Sequence, residues 1–228
     1  MLVQLLSHTP EPEQIVAAAA RLCYSSAGIG ELLEKSRNDR QNLIDKVRRS
    51  GHLSVFEHAS FSFGVEGISR ACSHQLVRHR LASYSQQSQR YVSHREPFVA
   101  VIPPSVAIQP ELRERFETLM AEIHRGYREL LDAGVPAEDA RFLLPNAAAT
   151  KLVLTMNARE LLHFFQLRCC RRAQWEIRAM AVEMLRLARR AAPLLFAAAG
   201  PGCLQGACPE GTMSCGEMGA VREEFERL

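Results

Sequence analysis

No apolar run in this 228-residue sequence is long enough to span a membrane. The longest weakly polar stretch, Ala191 to Gly200, contains Pro193 and is half the length of the ~20 residues a membrane helix needs. The first twenty residues hold Glu11 and Glu13 but no Lys or Arg. The charged start and apolar middle of a secretory signal are therefore missing, and a cytoplasmic protein is expected. No CxxC pair occurs among the seven cysteines, an odd number in which Cys169 adjoins Cys170. That usage does not suit a secreted disulfide framework, and reduced thiols are expected. Acidic residues are absent from two windows. Gly67 to Arg95 contains Arg70, Arg78, Arg80, Arg90 and Arg95, and Leu161 to Trp175 contains Arg168, Arg171 and Arg172, with no Asp or Glu in either. The net charge is only +3, too small for wrapping nucleic acid by the bulk field, so the two windows suggest localised anion sites.

What is present is ordinary globular material. Hydrophobic residues make up 47% and charged residues 23% of the chain, which excludes intrinsic disorder and a collagen-like repeat. At ~150 residues per domain the length fits one large domain, and no internal repeat or linker stands out. Leu2 to Ser7 reads as an opening strand and Glu11 to Cys23 as an Ala-rich helix, followed by a helix over Asp39 to Arg49 that Gly51 stops. Phe61, Phe63 and Val65 alternate with Ser60, Ser62 and Gly64, the period-two signal of a half-buried strand over Ala59 to Val65. Helical spacing returns over Ile68 to His79, and residues 82–90 read as a polar loop with extended stretches. Phe98 to Ile102 is a candidate strand closed by Pro103 and Pro104, and a long helix over Glu111 to Asp132 ends at Gly134. Pro136 opens a short helix, and Leu152 to Thr155 is a candidate strand. Asn157 then starts a helix, with Glu160 completing a capping pattern. Leu161, Leu162, Phe164 and Phe165 form its buried side, Gln174 to Ala192 is helical, and the Gly-, Cys- and Pro-rich tail, residues 200–228, is expected to be irregular.

The chemistry concentrates in residues 78–91, Arg-His-Arg-Leu-Ala-Ser-Tyr-Ser-Gln-Gln-Ser-Gln-Arg-Tyr. If the helix persists, Arg78 and Arg80 project about 200° apart and serve two ligands or two ends of one. In an extended segment Gln86, Ser88 and Arg90 share a face, offering an amide, a hydroxyl and a guanidinium as a clamp for a phosphate and a base edge. The plainer reading of Arg78, His79 and Arg80 is a cationic helix C-terminus.

Arg78-His79-Arg80 followed by seven residues and then Ser88 is the signature of the flavin-dependent thymidylate synthases, and this chain resembles that family. Gly51-His52-Leu53-Ser54-Val55-Phe56-Glu57-His58, Ala140-Arg141-Phe142-Leu143-Leu144-Pro145, Asn157-Ala158-Arg159-Glu160-Leu161, and Arg168 with Ala173-Gln174-Trp175-Glu176 match in order. The resemblance covers residues 50–180, with Arg21-Leu22-Cys23-Tyr24-Ser25 as weaker support. It implies an α+β single domain, with helices around a small, mostly antiparallel sheet, assembled as a homotetramer with active sites shared between subunits. It also implies reductive methylation of dUMP to dTMP using FAD, NADPH as reductant and 5,10-methylenetetrahydrofolate as co-substrate, with no nucleic-acid or membrane partner.

The same resemblance assigns residues. Flavin contacts match Ser54, Arg78, His79, Arg80, Asn157, Arg159 and His163, with His52 near the flavin and folate entrance. Nucleotide contacts match Gln75, Arg78, Gln86, Gln87, Ser88, Gln89, Arg90, Arg141 and Arg168, Gln86 also counting on the cofactor side. Arg168 matches the residue that stabilises negative charge on the pyrimidine as its N3 proton is lost, which is electrostatic catalysis without a covalent enzyme nucleophile. The chain departs from many members in having Gln86 for Glu and Ser85 for Asn, and in His163 and Arg172. A glutamine hydrogen-bonds but is no base, so no carboxylate role carries over to that position.

Competing readings have their own residues. Ser54 with Glu57 is also a capping box. His52, Glu57 and His58 miss the spacing of the helical zinc hydrolases. Cys203, Cys208 and Cys215, with Cys169 or Cys170 nearby, invite a structural metal, but without a CxxC pair the spacing assigns none. Cys169 and Cys170 beside Arg168, Arg171 and Arg172 suit thiols of depressed pKa, hence a Cys-dependent nucleotide transferase without flavin. An RNA-binding module is the third alternative, weakened because only Tyr84 and Tyr91 are interleaved with the basic residues of residues 67–95.

Overall fold

A computed structural model of the chain describes residues 1–93 and 95–228. The fold is α+β, with one small antiparallel sheet of four strands. Strand β1 is Leu2–His8 and β2 is Ser60–Ser69, followed by β3, Ala82–Gln86, and β4, Ala149–Asn157; their order across the sheet is β1-β2-β4-β3. The alternation expected for β2 is present, with Phe61, Phe63 and Val65 fully buried, and β4 buries Thr150, Leu152, Leu154 and Met156 in the same rhythm. That period follows from successive strand side chains pointing to opposite faces.

Ten helices accompany the sheet among the described residues: α1 Pro12–Leu22, α2 Ile29–Arg49, α3 Arg70–Leu76, α4 Pro104–Ala107, α5 Pro110–Asp132, α6 Ala137–Ala140, α7 Ala158–Arg168, α8 Trp175–Ala191, α9 Pro193–Phe196 and α10 Met218–Glu226. None is long and apolar enough to cross a membrane. Helix α5 ends where expected, with Gly134 at φ +87° just beyond it, a conformation glycine adopts without a Cβ penalty.

Several expectations need correction. Helix α2 starts ten residues before Asp39, which is a kink with φ −126° inside it and not its beginning. The helical period read from Ile68 is cut at both ends: Ile68 and Ser69 belong to β2, the Ser69 hydroxyl caps α3 by accepting from Cys72 N, and α3 stops at Leu76. Residues 82–86 are a strand and not a loop. Phe98 to Ile102 forms only an isolated antiparallel bridge, Ala100 with Ala148, because the chain runs directly into two prolines that lack N–H donors. The tail is not wholly irregular, since α10 buries Val221 and Phe225.

The chain divides into two compact units. One comprises residues 1–2, 65–78 and 84–153, the other residues 3–64, 79–83 and 154–228. Both β2 and β4 run on from one unit into the other, so no linker separates them in sequence. The first unit is built on α5, whose Tyr127 is fully buried. The second has an aromatic core in which Phe196 packs edge-on against Phe61 at 5.2 Å and against Phe165 at 5.9 Å, with Phe164 beside Phe165 at 5.8 Å. Phe165→Ala removes the middle of this chain of rings and is expected to cost about 3–5 kcal/mol of stability, read from urea denaturation; a cost below about 1 kcal/mol would mean the ring cluster is not what holds this unit together.

Candidate functional site

The second unit carries the candidate flavin residues other than Arg78 and Gln86, together with Arg168. They hang on the junction where β4 turns into α7. Asn157 caps α7, its side-chain oxygen accepting from Glu160 N at 2.9 Å, which leaves the donor end of its amide for a ligand. Ala158 N donates to Ala59 O at 2.7 Å, joining the start of α7 to the end of the 3-10 turn Leu53–His58. That turn bears exposed Ser54, with exposed His52 at its start. The expected Ser54 capping box does not form: no side chain caps the turn, and Glu57 instead takes Arg159 at 2.5 Å. Both partners of that pair are about half exposed, so it is weak and an incoming anion can compete for Arg159.

His79 lies at the centre of this group. Arg78 and Arg80 on either side of it are exposed, whereas His79 itself is only 5% exposed. Its Nε2 accepts from Arg168 Nε at 3.0 Å, which fixes the proton on Nδ1, and Nδ1–H donates to Glu160 Oε1 at 3.2 Å. Burial above all, then the positive Arg168 and the neighbouring His163, push the imidazole pKa down to about 4. The contact with Glu160 is therefore a hydrogen bond from a neutral ring and not an ion pair. Glu160, also buried, has its pKa raised by desolvation, with His163 opposing. His163 stays exposed and meets His79 edge-on at 5.9 Å, and Phe164 closes another side of the ring at 4.9 Å. With both ring nitrogens engaged, the His79 side chain links Glu160 to Arg168.

The first unit carries Gln75, Arg78, Gln86, Gln87, Ser88, Gln89, Arg90 and Arg141. The alternating face expected through Gln86, Ser88 and Arg90 does not persist, because β3 ends at Gln86 and the chain turns. Gln86 Nε2 donates to Thr150 Oγ1 at 3.2 Å and Gln87 N to Lys151 O at 3.0 Å, so these two residues continue the sheet's hydrogen bonding. In the turn, Ser88 Oγ accepts from Arg90 N at 3.1 Å and its carbonyl from Val92 N at 3.0 Å. Arg90 Nε meets Glu138 Oε2 at 2.5 Å, and Arg141 Nε donates to the Glu138 carbonyl at 3.0 Å. Arg141 also stands close enough to Arg70 to help burial lower that residue's pKa. Two arginines thus meet Glu138 and a third, Arg70, lies near Arg141, a cationic excess suited to a phosphate dianion.

Sequence reasoning assigned no site role to Arg70, Glu57 or Glu138, and took Glu160 only for a cap. The acid-free window did contain Arg70; nothing local marked the three glutamates as its neighbours' partners. The thiol reading is corrected at Cys169, which is sealed in the core and whose pKa burial drives far up, overriding Arg178 and Arg189, the reverse of an activated nucleophile. Tyr84, half-buried, donates its hydroxyl to Leu76 O at 2.9 Å, leaving Tyr91 as the exposed aromatic of the pair, a poor stacking platform for RNA.

Comparison with known proteins agrees with the motif reading. The family model described as thymidylate synthase complementing protein matches residues 4–194. A flavin-dependent thymidylate synthase of Geobacter sulfurreducens is 61% identical over 100% of this chain and 99% of its own. Proteins of the same name from Clostridium tetani and Pyrococcus furiosus are each 44% identical, over 98% and 99% of this chain and 96% and 97% of theirs.

The buried neutral His79 makes stability depend on pH. The unfolded chain protonates this imidazole below 6.5 and the folded protein only below about 4, so the unfolded state binds more protons between these values. Its contribution, on the order of 3 kcal/mol, is complete above pH 6.5 and is lost as pH falls toward 4. Urea denaturation at stepped pH should show this loss in the wild type and its removal in His79→Gln; equal acid sensitivity in the two proteins would contradict the buried neutral ring.

Proposed function

The chain belongs to the family of thymidylate synthase complementing proteins, and from that premise we propose that it carries out the reductive methylation of dUMP to dTMP with 5,10-methylenetetrahydrofolate, FAD and NADPH. The observation that carries the site assignment is the chain Glu160–His79–Arg168, which ties the Arg-His-Arg motif to the one arginine expected to act on the pyrimidine. FAD, when bound, supplies the redox chemistry that turns the transferred methylene into a methyl group.

The donor set of the second unit suits that cofactor. Exposed guanidiniums at Arg80 and Arg159 match a pyrophosphate, with Arg78 contributing from the motif. His52, Ser54, His163 and the Asn157 amide offer hydrogen bonds to the remaining polar edges. In the first unit Arg90 and Arg141 hold the nucleotide phosphate, with Gln75, Gln86, Gln87, Ser88 and Gln89 supplying neutral contacts. Arg168, anchored through Nε, sets its positive charge beside the pyrimidine and stabilises the negative charge left when the N3 proton departs. C5 thereby becomes nucleophilic without an enzyme thiol, in keeping with the inert Cys169.

The same proposal makes the protein a homotetramer whose subunits complete one another's sites, and places it in the cytoplasm, in keeping with seven free thiols. The plain test of activity is tritium release from C5-labelled dUMP with and without FAD, folate and NADPH. Arg168→Ala should lower turnover by at least about 10²–10³-fold while FAD stays bound; retention of most of the rate at saturating nucleotide would remove Arg168 from the chemistry. For the shared site, Arg80→Ala and Arg90→Ala, unfolded and refolded together, should regain part of the activity that neither shows alone. No recovery in mixed oligomers verified by mass spectrometry would place both residues of each site on one chain.

A further inference from the structure

We propose that Cys170, Cys203, Cys208 and Cys215 form a structural zinc site that fastens the C-terminal segment to the turn after α7. These four of the seven cysteines line one cavity of about 80 Å³, with Arg171 beside them. Cys170 comes from the turn between α7 and α8, and the other three from the segment between α9 and α10. Cys203 is buried and the others partly so.

The segment itself has little else to hold it. Between Gln205 and Glu217 every residue is exposed except Cys208 and Cys215, which turn inward. A stretch with no apolar side chain to bury ordinarily stays mobile unless something other than a hydrophobic core staples it. Here the chain nonetheless makes close approaches: a Cβ on Gly202 would meet Pro209 Cγ at 2.8 Å, so glycine lets the Cys203 turn lie against the Cys208 turn. Arg222 of α10 reaches the carbonyls of Cys203 at 3.1 Å and Gly206 at 2.8 Å.

Four sulfur donors select zinc or iron–sulfur chemistry, and a cavity of about 80 Å³ suits one ion better than a cluster of several irons and sulfides. Among the described residues no three His, Cys, Asp or Glu side chains already stand at coordination separations, so binding must draw the thiols in. Three of the four lie in the segment between α9 and α10, outside both helices. On binding, four S–H bonds give way to four Zn–S bonds and the protons leave to solvent. Arg171, which also pairs with Glu217 and Glu224, places a cation next to the net negative tetrathiolate centre. Cys169 takes no part, being sealed on the core side of the same turn.

The test is elemental analysis of untagged full-length protein purified under reducing conditions without chelator. About one zinc per chain is expected, falling below about 0.2 in Cys203→Ser and Cys208→Ser and unchanged in Cys23→Ser, a cysteine at the exposed end of α1. Should the two variants fail to fold, titration of wild-type protein with a mercurial, followed with a chromogenic chelator, should release zinc as about four thiols react. Wild-type protein with less than about 0.1 zinc, zinc retained in both variants, zinc release uncoupled from thiol reaction, or iron with acid-labile sulfide would each overturn the assignment.

Discussion

Burial of an uncharged imidazole between a carboxylate and a guanidinium is the constraint on which the second unit's polar architecture rests. A histidine this deep must have both ring nitrogens satisfied, because an orphaned buried donor or acceptor costs about 1–3 kcal/mol. Glu160 and Arg168 meet that demand from the first and last turns of α7. The helix therefore has to keep its register over its whole length. The Asn157 cap contributes by taking Glu160 N, while Glu160's own side chain is directed away from the cap and toward His79. The same helix start carries Arg159 and is bonded to the turn bearing Ser54, so one buried ring organises residues that are far apart in sequence.

The exposed arginines follow a different rule. Arg159 with Glu57 and Arg90 with Glu138 are surface pairs of low intrinsic worth. Each holds a guanidinium near its place without committing it, so an anion of higher charge could displace the glutamate. Arg70 and Arg141, placed close together, repel one another. An anion placed between them would relieve that repulsion.

The C-terminal segment shows how little hydrophobic material can be asked to shape a chain. Helix α10 is fixed by Val221 and Phe225, and by Arg189 donating to the Phe225 carbonyl at 2.8 Å. Between Gln205 and Glu217 the side chains that are not exposed are the sulfurs of Cys208 and Cys215. That contrast separates the part of the tail that a core explains from the part that needs another kind of fastening.

The sequence by itself determined the elements whose signals are local. The alternation of Phe61, Phe63 and Val65, the Asn157 cap and the glycine after α5 depend on neighbours within a few residues, and each is present as read. The ordered motifs around Arg78 and Ser88 likewise carried the family and its chemistry. Local signals also misled where tertiary pairing overrode them: residues 82–86 became a strand because β4 lies alongside to pair with them, and Ser54 lost Glu57 to an arginine 102 positions away from that glutamate. Only the folded chain decided that His79 joins Glu160 to Arg168, that Glu138 gathers Arg90 and Arg141, and that four cysteines from two segments share one cavity. Sequence spacing encodes which side chains share a face of one helix or strand, whereas contacts across 81 residues, as between His79 and Glu160, arise from the packing of separate elements and have no period to read.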